Sequence, residues 1–415
     1  MSLPLRDVYA EPTLADLMPS VLSSAGVAGE TNRLDLTPVD HTVVLLVDGM
    51  GWELLQRNAK AAPYLTQAPG SPMRAGFPTT TAVSLASLGT GLPSGLHGIT
   101  GYQSYVDEIE APVNWLRWTL AGTAIDQRDD LVPETVQPHP TVFERGREAG
   151  LTVTTVVPKA FEGSGLTRAV LRGGNFVGVS AYGDLLAQVV AAVSAGDRSL
   201  VYCYIGEVDT LGHVYGPESA AWLAQLTVVD RFVEQLADAL PAGTRLLVTA
   251  DHGMVDASRG RRIDFDHTPG LGEDVTVIAG EPRCRHIYTD HVDRVLERWR
   301  NELGDTRGSH PRRRVRGVPV RIRSRSGADQ ADRRHRGRRP RRIDGDPQRR
   351  RAGHVEPSRA ARGVDRRGTA RAAAADRVTR SRSGAAGCRN SRCPKHIGHI
   401  VCAHAYRCGD LARPQ

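Results

Sequence analysis

Four short apolar runs in the first 250 residues constrain the fold of this chain more than any other feature. They are Val43-Val44-Leu45-Leu46-Val47, Leu151–Val157, Ser199–Ile205 and Arg245–Ala250, with Val275–Ile278 as a weaker fifth. Each is too short for a buried helix and rich in β-branched residues. The first is closed by Asp48-Gly49-Met50-Gly51, a turn, so the runs read as buried strands. Between them, Gly183–Ala195 and Ala220–Leu240 repeat apolar residues every three or four positions, the period of an amphipathic helix. This alternation predicts an α/β fold with a mainly parallel central sheet and helices on both faces. Sites in such folds collect beyond the carboxyl ends of the strands. No internal repeat is visible, and neither GxGxxG nor GxxxxGK[ST] occurs, so the common phosphate-cradling loops are absent.

Three of the predicted strands end in residues that bind metals. The first ends at Asp48. The second runs into Gly206-Glu207-Val208-Asp209-Thr210-Leu211-Gly212-His213, where a helical turn would put Asp209 and His213 on one face. The third ends Ala250-Asp251-His252-Gly253-Met254. Taken singly, each has an ordinary structural explanation, as a turn, a cap or a surface pair. Adjacent Asp and His at a buried strand end are less ordinary, because two buried polar groups need compensation. All three together point to a site for zinc or another divalent first-row ion.

A hydroxyl accompanies them. Phe77-Pro78-Thr79-Thr80-Thr81 precedes the small-residue run Ala82–Leu88 and Gly89-Thr90-Gly91. Threonines before a helix are N-caps, and one of these is expected to cap. A hydroxyl in the positive field of a helix N-terminus is also placed to meet a phosphate, and metal coordination would activate it as a nucleophile. Position alone leaves Thr79, Thr80 and Thr81 open.

Charge separates the chain into two parts. Residues 1–300 hold 23 Lys+Arg against 36 Asp+Glu, a balance of −13, and residues 301–415 hold 31 against 10, a balance of +21. An acidic first part does not advertise nucleic-acid binding, and a phosphate-bearing substrate there needs local counter-charge such as metal ions. No stretch approaches the ~20 apolar residues of a membrane span. The opening Met1-Ser2-Leu3-Pro4-Leu5-Arg6-Asp7 lacks the layout of a secretory signal, and Cys203 and Cys284 are the only cysteines of this part. A cytoplasmic protein with no membrane partner is the expectation.

The ordered set of motifs resembles the alkaline-phosphatase superfamily, in its nucleotide pyrophosphatase/phosphodiesterase branch. The matching pieces are Leu46-Val47-Asp48-Gly49-Met50, Phe77-Pro78-Thr79-Thr80-Thr81, Gly89-Thr90-Gly91-Leu92-Pro93-Ser94-Gly95-Leu96-His97-Gly98-Ile99, Asp209–His213 and Ala250–Met254. The resemblance covers roughly residues 40–290 and implies Thr81 as the nucleophile, with Thr79 supporting the turn. It further implies that Asp48, Thr81, Asp251 and His252 surround one divalent ion. Asp209 and His213 would hold a second, with a histidine supplied later in the chain. Zinc is the first expectation for both ions and manganese the second, and His97 is structural. The implied activity is hydrolysis of a small phosphodiester or nucleotide pyrophosphate substrate through a covalent phosphothreonine.

Some features depart from the family pattern. The diesterase branch usually offers an asparagine after His-Gly-Ile, where this chain has Gly101-Tyr102-Gln103; Asn114 is the nearest replacement for binding a phosphate oxygen. The sulfatase Cys-x-Pro-x-Arg signature is absent, as is the serine nucleophile of alkaline-phosphatase-type monoesterases. Diester or pyrophosphate cleavage is therefore favoured over a phosphomonoesterase on the same fold.

The sequence then divides into a catalytic domain over 1–303, expected to be incomplete, and an Arg-rich tail over 304–415. Residues 301–415 hold 30 Arg, one Lys (Lys395), two Leu (Leu303, Leu411) and one aromatic (Tyr406). A segment so poor in large apolar residues cannot offset its ordering entropy, so disorder is expected. A nucleic-acid-binding tail is one reading. A zinc knot from Cys388, Cys393, His396, His399, Cys402, His404 and Cys408 is another, although their spacing follows no regular finger. An out-of-frame translation of GC-rich DNA fits the Arg:Lys bias best, and would remove the late histidine ligand and impair the enzyme. His310, His335 and His354 lie in the tail, none in a His-Gly turn after a strand; His267 and His286 precede it without a motif.

Overall fold

The computed structural model describes residues 9–257, 262–304, 321–323 and 397–404, with Gly304 and the last two segments described by their backbone alone. The chain divides into two units, 1–325 with 394–415 and 326–393, and every described residue lies in the first. His310, His335 and His354, and Cys388, Cys393, His396 and Cys408, fall outside the described residues, as does most of the Arg-rich tail.

Among the described residues thirteen strands follow in chain order: β1 His41–Val47, β2 Gly70–Arg74, β3 Gln103–Val106, β4 Ala111–Asn114, β5 Thr119–Leu120, β6 Thr152–Pro158, β7 Asn175–Val179, β8 Ser199–Ile205, β9 Thr244–Thr249, β10 Val277–Glu281, β11 Cys284–Tyr288, β12 Arg321–Arg323 and β13 Ile397–His404. Seven form the central sheet in the order β2-β13-β9-β1-β8-β6-β7, and every pairing in it is parallel. The four apolar runs are its middle, β6, β8, β1 and β9. The fifth, at Val275–Ile278, overlaps β10 only at Val277 and Ile278; β10 runs on to Glu281 in a separate three-stranded sheet, antiparallel to β11.

The central strands read as unbroken apolar runs because both of their faces are covered. Val44 and Leu46 of β1 enter one core with Leu17 and Leu22 of the helix Leu14–Ser24, Leu85 and Leu88 of the helix Thr81–Thr90, and Phe143. Val43, Leu45 and Val47 enter the other with Leu185 and Val189 of the helix Tyr182–Val193, and with Leu226 and Val233 of the helix Ala220–Ala239. Successive side chains of a strand point to opposite faces, so one run supplies both cores. The two long helices match the predicted Gly183–Ala195 and Ala220–Leu240 to within two residues.

The helix Thr81–Thr90 is seated closely on the sheet. Ser84 Oγ donates to the Asp251 carbonyl at 2.8 Å. A β-carbon built on Gly89 would fall 1.9 Å from the carbonyl oxygen of Val170, so only glycine lets the helix approach there. Among the described residues, no helix is long and apolar enough to cross a membrane.

Candidate metal centre and nucleophile

Strands β9, β1 and β8 are neighbours and run parallel, so their carboxyl ends stand side by side. Asp48 follows β1, Asp251 and His252 follow β9, and β8 leads through Gly206 into the helix Glu207–Tyr215, which carries Asp209 and His213. Two glycines let these ends converge. Gly49 has φ +71°, and a β-carbon there would lie 2.9 Å from Asp209 Cα; at Gly51, φ +35°, it would lie 2.4 Å from Gly253 Cα. Backbone bonds fix the convergence: Asp48 N–H donates to the Ile205 carbonyl at 2.8 Å, and Gly51 N–H to the His252 carbonyl at 3.1 Å.

Thr81 is the first residue of its helix, and its Oγ1 faces the strand ends. That oxygen lies 3.0 Å from His252 Nε2 and 3.4 and 3.5 Å from the two Asp48 carboxylate oxygens. His252 Nε2 is in turn 3.4 Å from Asp48 Oδ1 and 3.3 Å from Asp251 Oδ2. Asp48, Asp251 and His252 form one cluster with a ligand atom from each within 4.8 Å of the others, and all three are buried.

Such a cluster is electrostatically incomplete on its own. Burial, reinforced by the Asp251 charge, holds the Asp48 carboxyl well above the ordinary carboxylate range, while His252 and a hydrogen bond from Tyr204 pull it down. Burial likewise pushes Asp251 up to about 6, against the stabilising Gly49 N–H. That N–H and the His252 N–H both donate to Asp251 Oδ1, at 3.1 and 2.9 Å. Asp251 Oδ2 and Asp209 Oδ1 are buried without a well-formed hydrogen bond among the described residues, each facing only a histidine Nε2, of His252 at 3.3 Å and of His213 at 3.4 Å. Buried oxygens of this kind are costly unless a cation or donor meets them. Carboxylate oxygens and an imidazole nitrogen are a donor set that suits zinc or manganese. On these grounds the residues present fit a divalent ion.

Asp209 and His213 share one helical face, as their spacing predicts, with His213 Nε2 3.4 Å from Asp209 Oδ1. Asp209 backs onto Gly49 beside the cluster, whereas the His213 side chain is 72% exposed.

A sequence profile described as "Type I phosphodiesterase / nucleotide pyrophosphatase" matches residues 42–344. The chain belongs to this family. Among curated proteins, phosphopentomutase of Anaeromyxobacter dehalogenans (strain 2CP-C) is 34% identical over 190 residues, covering 43% of this chain and 44% of that protein. Ectonucleotide pyrophosphatase/phosphodiesterase family member 7 of Homo sapiens is 26% identical over 240 residues, covering 54% and 48%. The chain thus spans less than half the length of these relatives. Human ectonucleotide pyrophosphatase/phosphodiesterase 5 shares the fold, with a TM-score of 0.50 at 19% identity over 63% of this chain and 70% of that one.

The remaining polar residues of this phosphodiesterase-family chain divide by position. Asn114, at the end of β4, is buried; its Nδ2 donates to Tyr102 Oη at 2.7 Å, and its Oδ1 accepts from the Leu116 and Arg117 N–H groups. His97 is buried away from the cluster. Its Nδ1 accepts from Ile99 N–H at 3.2 Å, which leaves Nε2 as the donor to Ser87 Oγ at 3.1 Å. Burial lowers its pKa to about 4, so the ring is neutral and structural. His267 is exposed and paired with Asp264. His286 is buried on β11, its ring against Gly101.

Two residues at the centre have no motif to announce them. Tyr204 of β8 donates from its hydroxyl to Asp48 Oδ2 at 2.6 Å, and its ring meets Phe161 edge-on at 5.6 Å. The alternation of β8, which puts Tyr202 and Tyr204 on one face, was the available signal. Burial raises the carboxyl of Glu281, the last residue of β10, to about 7, against the opposing charge of His252. Nothing in its local sequence marks it, because the His252 charge it faces comes from the end of another strand.

Proposed function

We propose that this chain is a metal-dependent hydrolase that cleaves a small phosphodiester or a nucleotide pyrophosphate with Thr81 as nucleophile. The observation that carries this reading is the position of Thr81 Oγ1, at a helix N-terminus and 3.0 Å from His252 Nε2 in a buried Asp–Asp–His cluster. Family membership supports the reaction class. Asp48, Asp251, His252 and Thr81 would hold one divalent ion, and Asp209 and His213 would contribute to a second. Bound there, zinc or manganese supplies positive charge that favours the threonine alkoxide and offsets the charge of the phosphoryl oxygens.

The chain's own residues account for the rest of the reaction. Thr81 loses its hydroxyl proton, and its oxygen attacks phosphorus in line with the leaving group. The bond from phosphorus to the leaving oxygen breaks, that oxygen takes up a proton, and Thr81 is left esterified. Water then attacks the same phosphorus, the Thr81 oxygen leaves and regains its proton, and the phosphate product departs. The first turn of the helix directs backbone N–H groups and positive dipole toward the phosphoryl oxygens throughout.

A second reading is phosphoryl chemistry on a monoester, favoured by the likeness to a phosphopentomutase over 190 residues. Rates on an aryl phosphodiester and an aryl phosphomonoester, measured with zinc or manganese added, separate the two. We expect the diester to be cleaved faster, and Thr81→Ala to lower turnover by at least about a thousandfold. Turnover surviving in that variant refutes the nucleophile. An inert protein holding a single ion per chain would instead mark an impaired member, in which a polyanion-binding role for the tail becomes testable by its salt dependence.

A further inference from the structure

Each carboxylate of the enclosed cluster has one oxygen tied down by the protein and one left facing inward. In Asp251, Oδ1 accepts the Gly49 and His252 N–H groups at 3.1 and 2.9 Å, and Oδ2 faces His252 Nε2 at 3.3 Å. In Asp48 a side chain makes the same division. The Tyr204 hydroxyl donates to Oδ2 at 2.6 Å, and Oδ1 faces His252 Nε2 at 3.4 Å. His252 is set in the same way. Its Nδ1, 3.2 Å from the Gly253 carbonyl, carries the ring proton, which leaves the Nε2 lone pair to the carboxylates.

The fold places the Tyr204 hydroxyl closely. Strands β1 and β8 pair with Tyr204 beside Leu46, and both side chains pack in one core, on the face where Asp48 follows two residues later. Phe161 meets the phenol ring edge-on, and Gly206 leaves room for its tip. A β-carbon built on Gly206 would lie 3.0 Å from the hydroxyl oxygen and 3.0 Å from the ring carbon Cε1. One oxygen from each carboxylate, His252 Nε2 and Thr81 Oγ1 then make four donor atoms. Zinc takes about four donors, whereas manganese takes about six and accepts a carboxylate through both oxygens.

We infer that Tyr204 is a positioning residue that sets which ion the cluster prefers: by occupying Asp48 Oδ2 it limits that carboxylate to one oxygen and so favours zinc over manganese. The inference rests on the reading of Asp48, Asp251, His252 and Thr81 as ligands of one divalent ion. Without the hydroxyl, Asp48 is free to chelate through both oxygens, an arrangement useful to manganese and not to zinc.

The test titrates the full chain with zinc and with manganese, each in competition with a chromophoric chelator. All chains carry His213→Gln, so that the enclosed cluster dominates the titration. In Tyr204→Phe, zinc binds about tenfold more weakly while manganese stays within about twofold of the parent, so the zinc-to-manganese affinity ratio falls. The phenylalanine ring keeps its contact with Phe161, and a cluster that had merely loosened would lose both ions alike. Gly206→Ala crowds the hydroxyl without removing it. It lowers the ratio about threefold in the parent and leaves it unchanged in Tyr204→Phe, and it serves also if the phenylalanine variant does not fold. An unchanged ratio in Tyr204→Phe, whether both affinities hold or fall together, overturns the inference. So does a Gly206→Ala effect of equal size with and without the hydroxyl. Failure of the underlying reading is seen separately: a parent that takes up neither ion has no metal centre here, and the inference ends with it. Turnover by Thr81→Ala refutes the nucleophile alone and leaves the ratio as the measure of Tyr204.

Discussion

Asp48, Asp251 and His252 come from the ends of two neighbouring strands and are enclosed on all sides, whereas Asp209 and His213 stand one turn apart on a single short helix with the histidine exposed. The enclosed half is set by the sheet: strand register, two glycines and backbone bonds place its oxygens before any ligand arrives. The open half is set by local helical geometry, with one carboxylate anchored against Gly49 and one exposed imidazole paired with it. On the reading proposed above, the enclosed half would fix the attacking hydroxyl and the open half would meet the departing group. Preorganisation matters most where the reacting oxygen sits, because a small misplacement there is costly in rate.

The strongest way to break this comparison is Asp251→Asn. The amide oxygen can still accept from the Gly49 and His252 N–H groups, but the charge facing His252 is gone. Affinity for one divalent ion should fall by at least about a hundredfold. The metal-free protein should melt no lower than the parent, since repulsion between buried carboxylates is relieved. Metal analysis after dialysis reads the first effect and a thermal scan the second. Retention of both ions would show that the enclosed cluster is not a ligand set. His213→Gln probes the open half. Its exposure predicts a stability change within about 0.5 kcal/mol, with affinity for the second ion about tenfold weaker. A thermal midpoint that falls well below the parent's would erase the distinction between the halves.

A third effect lies outside both halves, at His97, which bonds to the helix that carries Thr81. Burial lowers His97 to about 4, against about 6.5 in an unfolded chain. Between these values the unfolded chain binds a proton that the folded one refuses. This residue's contribution to stability is therefore intact above pH 6.5 and shrinks as pH falls toward 4, by on the order of 3 kcal/mol. His97→Asn keeps an acceptor for Ile99 N–H and removes the titration. The loss of urea resistance from pH 7 to pH 5 should be smaller in the variant than in the parent. An identical loss would place the acid sensitivity elsewhere.

The parts of this centre legible in the sequence were those written as local patterns. Asp48, Asp209, Asp251 and His252 could be read because each follows a buried apolar run, and His213 because it is four residues from Asp209. Among Thr79, Thr80 and Thr81 spacing could not choose, and the family resemblance was needed; the structure puts Thr81 Oγ1 toward the cluster. Tyr204 and Glu281 escaped because their contacts arise only when distant strands are brought together. The strand β2 escaped for a different reason. Gly70-Ser71-Pro72 reads as a turn, and an edge strand with exposed residues has no alternation to detect. The antiparallel sheet β3–β5 is similarly built of two- to four-residue strands too short for a period to show.

Gly89 gives the helix that carries the nucleophile a gauge. Its bare α-carbon rests against the Val170 carbonyl, about 12 Å along the helix from Thr81. That contact, with the last residue of the helix Gly165–Val170, works as a stop, setting how closely the two helices approach. A methyl group at this one position would lift the far end and tilt the hydroxyl at the near end. The placement of the Thr81 hydroxyl is thus set in part at a point outside the Asp48–Asp251–His252 cluster, where a search confined to the cluster would pass it by.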